Sequence, residues 1–564
     1  MKNEKNGISL IVLVITIIVM IILASSVILS LSSSGLINKA NLVQESTEMA
    51  NEKQIIQIAS ANAMMLNNEA KLTVEDLQAA MDKYVAQDAV MVINNGGTIA
   101  VKFNETNRWY DVDTTGKILG TIEVELDKEG GVLDGTGTQV DPFVIMSIDD
   151  LIYFAKNVNT YNNKYVAIGT TLDFNSDLSY VNKNTTEYDE FLGGDGTKGL
   201  KEQLTQGLGF KPMSYTGTFD GRNNEIKNLK VEVEGNAGLF ASASGTIKNI
   251  NVYGYIISKN NVAGGIIGYN WGKAYIENCS FSGTVKSLMK SVGGIIGDIG
   301  EAITNIYNCS TKGEVISEVS SAGGIVGKTS HVTTLRIDGC VNNAKVYGGA
   351  DGSGGCIGFA SQENIKIKNS SNFGEVTLLR GPSHDGVGGI AGRGDAVIEN
   401  CYNTGILKSV YAVDGFFRGA GGILGNGKST INNSVYYGKI AIEGTKQNIG
   451  GIIGIANDVT IETIKLNKCY FNSDEVSKGI GKSAIVDEIA IAKNTSQLKS
   501  AQFVNELNSN IENGCPYEVE KEDGTVATET IDTTGWAKWV YNSGSYPTLD
   551  LTTKWSGTEW ITEK

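Results

Sequence analysis

The chain has 564 residues, with 47 Lys+Arg against 62 Asp+Glu for a formal charge of −15, and holds 69 Gly, 5 Pro, 7 Cys and 2 His. The acidic balance argues against a nucleic-acid binder, which needs clustered Lys and Arg to neutralise phosphates, and two histidines leave little from which to build a zinc site or a His-based triad. Glycine at about 12%, against a usual ~7%, with scarce proline excludes collagen and proline-rich linkers, while the length suits several domains or one long solenoid.

Ile8 to Leu31 is a run of 24 uncharged residues, interrupted only by Ser9, Thr16, Ser25, Ser26 and Ser30. A helix needs about 20 apolar residues to cross roughly 30 Å of hydrocarbon, so this run can span a bilayer and is longer than a secretory h-region of about 7 to 15. Lys2 and Lys5 would keep the leader cytoplasmic and place everything after Leu31 outside.

Lys5-Asn6-Gly7 followed by Ile8-Ser9-Leu10-Ile11 resembles the leader and helix start of type IV pilins and pseudopilins. The resemblance implies cleavage after Gly7 by a prepilin peptidase, N-methylation of Ile8, and association with other pilin subunits. The fifth mature position, usually Glu in that family, is Val12 here. A minor or tip subunit, with no neighbour above it to pair with, tolerates that loss. A plain signal anchor and a cleaved signal peptide are the alternatives.

Leu36 to Leu66 continues as an amphipathic helix pattern, with Ile55, Ile56, Ile58 and Ala59 apolar beside Glu45, Glu48, Glu52 and Lys53. Thr73-Val-Glu-Asp76 predicts a capping box opening a second helix to about Ala86. Met91-Val-Ile93, the turn Asn94-Asn-Gly-Gly97 and Thr98 to Phe103 predict a hairpin, and Trp109 to Val112 another strand ending at a turn, Thr114-Thr-Gly116. Residues 71–125 thus resemble a small α+β pilin-like head.

A glycine pair then recurs at Gly264/Gly265, Gly293/Gly294, Gly323/Gly324, Gly354/Gly355, Gly388/Gly389, Gly421/Gly422 and Gly450/Gly451, spaced by 29, 30, 31, 34, 33 and 29 residues. Between the pairs a second element recurs as YIENC at Cys279, NIYNC at Cys309, RIDGC at Cys340, KIKNS at Ser370, VIENC at Cys401, TINNS at Ser434 and KLNKC at Cys469. A third recurs from Gly283-Thr-Val285 to Gly438-Lys-Ile440. Short β-branched stretches between glycine turns at a fixed period predict a parallel β-solenoid over 205–475, with weaker rungs at Gly217–Gly221, Ile226–Leu229, Gly238–Phe240 and Ile247–Ile250. The fold class is therefore mainly β: a solenoid behind a long amino-terminal helix and a small head.

These stretches, such as VAGGIIG and SAGGIVG, resemble the GLUG repeat of bacterial surface proteins. Residues 130–204, with Gly135-Thr-Gly-Thr and Asp141-Pro-Phe143, look like a capping segment before such a solenoid, and 476–564, with Leu498–Leu507, Trp539 and Ser545-Tyr-Pro547, like a closing one. The resemblance implies an anchored or secreted protein with an adhesive or binding role and an unidentified surface glycan or protein as ligand.

Interchange of Cys with Ser at one phase predicts an inward small-residue ladder rather than a metal site, with disulfides between rungs the alternative. Catalysis by a β-solenoid needs paired carboxylates on one face, and Asp298, Asp338, Asp351, Asp385 and Asp395 fall at different phases. A display role is therefore expected, with no catalytic residue, metal or cofactor; a glycan-degrading enzyme is the rival. Irregular loops are where repeat arrays bind, and the longest carry Arg380 and His384, then Tyr411, Phe416, Phe417 and Arg418. Tyr269 and Trp271 are further aromatic candidates.

Overall fold

The computed structural model describes residues 36–67, 71–85, 89–95, 97–103, 106, 108–122, 133–174, 210–330, 334–361, 364–379, 386–409, 419–442, 448–456, 465–482, 490–521 and 525–563. The run Ile8–Leu31, with Gly7 and Val12, lies outside them; among the described residues no helix is long and apolar enough to cross a membrane. The chain divides into two compact units after Val124.

In the first unit α1 spans Leu36–Asn67 and α2 Val74–Met81. Thr73 caps α2 as expected, accepting from the Asp76 amide at 3.1 Å, but its hydroxyl, not its backbone N–H, meets the Asp76 carboxylate at 2.7 Å. The helix stops at Met81 rather than near Ala86, because Leu77 and Met81 are buried whereas Asp82, Lys83 and Tyr84 are exposed and another turn would bury nothing. β1 (Val90–Asn95) pairs antiparallel with β2 (Thr98–Phe103), closing the hairpin at Asn95 and Thr98, and β3 (Arg108–Val112) follows. A fourth strand, β4 (Ile118–Ile122), completes the sheet. Its Gly120 and half-exposed pattern gave no strand signal. Glu52 of α1 is buried against this sheet and accepts from Tyr110 Oη at 2.6 Å and from Arg108 and Thr106. Burial, reinforced by Glu52, pushes the Tyr110 phenol up to about 12.

The second unit is a parallel β-solenoid. Its stacking starts ahead of the glycine pairs, where Phe143–Ile145 pairs with Lys164–Ile168 and that strand with Met213–Asp220. An aromatic cluster of Phe154, Tyr161, Tyr215, Phe219 and Phe240 fills this end beneath the helix Ile148–Lys156. The first regular rung has four strands: Ala263–Gly264, Ile267–Asn270, Ala274–Glu277 and Ser280–Ser287. They belong to three faces: a glycine-pair sheet, a medial sheet made of the middle two strands, and a lateral sheet.

The glycine pairs stack in register, Gly264 on Gly293, then Gly323, Gly354, Gly388, Gly421 and Gly450. A Cβ on Gly323 would sit 1.9 Å from the Val326 carbonyl, and one on Gly355 2.0 Å from the Gly389 carbonyl, so side chains are excluded at both positions of the pair by close backbone approach. Beneath the second glycines runs an interior row of Phe281, Thr311, Asn342, Asn372, Asn403, Tyr436 and Phe471. Its middle is a buried amide ladder: Thr311 Oγ1 bonds Asn342 at 2.7 Å, Asn342 donates to Asn372 at 2.7 Å, and Asn372 donates to Asn403 at 2.8 Å.

The cysteine phase faces inward, as expected. All seven cysteines are buried and unbridged. In the ladder the thiols donate to backbone carbonyls of their own and the preceding rung, as Cys279 does to Glu277 and Ile247. Where serine stands instead, its hydroxyl accepts from the rung before: Cys340 N–H donates to Ser370 Oγ at 3.1 Å and Cys401 N–H to Ser434 Oγ at 3.2 Å. Cys356 takes a place that isoleucine fills in other rungs, at Ile325 and Ile390. Burial pushes the thiols of Cys309 and Cys356 far up and those of Cys469 and Cys515 up to about 12, so thiolates, the reactive form, are suppressed.

The residue before each ladder position turns the chain from the medial to the lateral sheet in the left-handed conformation: Asn278, Asn308, Gly339, Asn369, Asn400, Asn433 and Lys468 have φ between 44° and 67°. Asparagine tolerates this region better than other side-chain-bearing residues. The carboxamides also link rungs, Asn400 donating to Asn369 at 2.9 Å and Asn433 to Asn400 at 3.0 Å. Onto this corner docks the carboxy-terminal segment, whose helix Ala501–Glu512 and Trp536, Trp539 and Trp555 share an apolar cluster with Tyr402, Val435, Tyr437 and Tyr470.

Candidate binding surface

Strand alternation sends every second residue of the medial sheet outward, and the parallel register lines these residues up along the solenoid. One row runs Tyr269, Asp298, Lys328, Phe359, Arg393. A second runs Tyr275, Asn305, Arg336, Lys366, and a third Glu277, Tyr307, Asp338, Lys368. Lys328 and Arg393 lie 5.3 and 4.7 Å from the centre of the Phe359 ring, on either side along the row.

Trp271, in the turn between the two medial strands of the first rung, is 66% exposed. It meets Tyr269 edge-on with ring centres 4.5 Å apart, and Lys273 Nζ lies 5.2 Å over the exposed Tyr275. Tyr307 stands near Tyr275 and among the charged groups of Glu277, Arg336 and Asp338. The first three rungs therefore present aromatic rings interleaved with both signs of charge, on strands whose inward residues, Ile276, Ile306 and Ile337, are fully buried.

Asp298 is the unusual member. It is 7% exposed and accepts from Ser330 Oγ at 3.0 Å and from Ser291 Oγ at 3.4 Å. Burial, opposed in part by Ser330 and Lys328, raises its carboxyl from 3.8 to about 6. Because the folded pKa lies above the unfolded one, the folded protein holds this proton more tightly, and the stability it contributes is full below pH 4 and lost as pH rises through 6. Asp298→Asn is accordingly expected to stabilise the solenoid by about 3 kcal/mol at pH 7 and by nothing near pH 3.5, each pKa unit being worth about 1.4 kcal/mol. Denaturant unfolding at the two pH values checks this; equal effects at both would refute it.

Of the residues singled out from sequence, Gly7, Ile8, Arg380, His384, Asp385, Tyr411, Phe416, Phe417 and Arg418 lie outside the described residues. Asp298 and Asp338 sit in different outward rows, and Asp395 accepts from the Lys428 backbone N–H at 2.9 Å, so these carboxylates form no common patch. Among the described residues no group of His, Cys, Asp and Glu could hold a metal ion. Sequence reading missed Tyr275, Tyr307, Arg336, Phe359 and Arg393. Their signal is alternation within each strand read at fixed offset from the cysteine phase or the glycine pair.

The GLUG motif model matches residues 259–286, which hold the first regular rung with Gly264/Gly265, Trp271, Tyr275 and Cys279. Halomucin of Haloquadratum walsbyi is 26% identical over 188 residues, 32% of this chain, and the chain spans only 2% of Halomucin's length. Among solved structures, a Bacteroides ovatus protein provisionally described as an immunoglobulin A1 protease aligns with 72% of this chain and 97% of its own, at 18% identity and a TM-score of 0.33. A structure described as IgA1 Protease aligns with 72% of this chain and 29% of its own, at 15% identity and a TM-score of 0.37. The chain carries a GLUG motif within a parallel β-solenoid.

Proposed function

We propose that this chain is a membrane-anchored, pilin-like cell-surface protein, a minor or tip subunit, whose solenoid displays a binding face to an external ligand. The observation that carries the display reading is Trp271, two-thirds exposed beside Tyr269 and Tyr275 on a rung whose core is complete without it. Large rings left in water on a rigid sheet supply contact area at little entropic cost when a partner covers them. The anchoring reading rests on the apolar run Ile8–Leu31 and the Lys5–Ile11 leader. Filament assembly with Val12 in place of Glu suits a subunit that nothing stacks upon. A reaction is not needed for this role, and the groups bonded to Asp298 are hydroxyls rather than a second carboxylate.

Mass spectrometry of the amino-terminal peptide from protein recovered from its native cells tests the proposal. N-methylated Ile8 is the expected result. An intact leader, or cleavage beyond Ala24, would overturn the pilin part and leave a signal-anchored or secreted solenoid.

A further inference from the structure

The corner amide ladder occurs in two stretches, and the chain's own closing segment covers only one. There the amides hold an extended backbone. Asn369 Nδ2 donates to Gly535 O at 2.9 Å while its Oδ1 accepts from Ala537 N–H at 2.8 Å; Asn400 Nδ2 donates to Ala537 O at 2.9 Å and its Oδ1 accepts from Trp539 Nε1 at 2.6 Å. A carboxamide has two N–H donors and two acceptor lone pairs. Each amide spends one donor and one acceptor along the stack and turns its other donor and acceptor outward, and successive rungs repeat this at about 4.8 Å.

Asn278 and Asn308 hold the same left-handed corner position, with φ 52° and 51°, but no hydrogen bond joins their two carboxamides. Both are exposed. Asn278 Nδ2 donates to Asn249 Oδ1 at 3.1 Å, keeping the stacking bond. Among the described residues nothing bonds the Asn278 Oδ1 or the Asn308 carboxamide. Gly339, with no side chain to bond, interrupts the corner amides between Asn308 and Asn369, and a Cβ there would lie 2.5 Å from Asn308 Oδ1. The side chains flanking it are Tyr275 and Glu277 on one rung, Tyr307 on the next and Arg336 beyond.

We propose that the Asn278–Asn308 corner binds an extended polypeptide segment of a second protein by hydrogen bonds to its main chain, as Asn369 and Asn400 bind residues 535–539. This rests on the display reading and names its ligand class. Amides beside aromatic rings also suit sugars, but only a backbone is held by this ladder elsewhere in the molecule.

The test uses the full-length protein and a synthetic peptide of residues 533–541, TTGWAKWVY, bearing a photo-cross-linker. Asn278→Gly with Asn308→Gly deletes both amides and keeps the left-handed corner, as Gly339 does naturally. Saturable binding is expected, with cross-links confined to 269–312. Affinity should fall about tenfold or more in the double variant and with probe N-methylated at Ala537, the loss that a few missing hydrogen bonds produce. The unfolding temperature should barely move. No saturable binding, cross-links at the Asn369–Asn433 corner, insensitivity to either change, or capture of a neutral oligosaccharide in place of the peptide would each overturn the proposal. The state of Ile8 is measured separately, so failure here leaves the anchoring reading standing.

Discussion

Gly389→Ala is expected to break the solenoid at its fifth regular rung. The added Cβ would lie 2.0 Å from Asn403 Nδ2 and 2.1 Å from the Gly422 carbonyl. Neither neighbour can yield cheaply. The Gly422 carbonyl belongs to the next rung's backbone and already accepts from Asn403 at 3.0 Å, and the Asn403 amide is buried in the interior ladder. Overpacking that side chains can absorb costs about 1–3 kcal/mol, and a clash that moves backbone costs more, so a loss above ~4 kcal/mol is expected. Gly235→Ala is the control, since a Cβ there meets nothing within 4 Å. Because rungs stabilise only their neighbours, denaturant unfolding of Gly389→Ala should split into two transitions while Gly235→Ala stays near the parent. A single unshifted transition for Gly389→Ala would show that the paired backbones have room for a methyl group.

Trp539→Ala should release the closing segment while the rungs stay folded. Trp539 is 1% exposed, with its ring centre 5.5 Å from that of Tyr402 and its indole N–H donating to Asn400. Its backbone N–H donates to Asn508 Oδ1 at 2.9 Å and its carbonyl accepts from Asn508 Nδ2 at 3.0 Å, tying the strand to helix Ala501–Glu512. Deleting a buried tryptophan costs about 3–5 kcal/mol, much of what holds an appended segment in place. Limited proteolysis should cut the variant within residues 500–563 long before the parent and leave a protected solenoid. Unchanged digestion would mean that Trp536 and Trp555 suffice.

The rungs were legible because stacking demands identical spacing, and the glycine pairs that mark the period are the positions where the backbones approach most closely. The cysteine phase was legible for a related reason: only residues of similar small volume exchange where Cys340, Ser370 and Cys401 follow one another. The residue preceding the ladder position, asparagine in five of the seven regular repeats, Gly339 and Lys468 in the other two, acquires no role from sequence, since a left-handed corner leaves no periodicity of its own. The docking of Trp539 on Asn400 spans 139 residues and could not be read from local pattern. Nor could Glu52, whose partners Arg108 and Tyr110 lie more than 50 residues on. α2 was overextended because its cap marks a beginning, and its end was set by what the sheet could cover. The outward rows were the harder part of the surface, since Tyr275 and Arg336 share a face only once the register is known.

The two amide strings run with opposite sense. In the interior, Asn342 and Asn372 each donate toward the next rung; at the corner, Asn278, Asn400 and Asn433 each donate toward the previous one. Each corner stretch ends on a paired carboxylate: Asn278 through Asn249 on Asp220, 3.1 Å from Lys248, and Asn433 through Asn400 and Asn369 on Asp338, 3.2 Å from Lys368. An α-helix, whose peptide dipoles all point one way, accumulates charge at its ends as it grows. Here the side-chain dipoles of the two strings oppose one another over the rungs they share, so neither accumulates charge in one direction there.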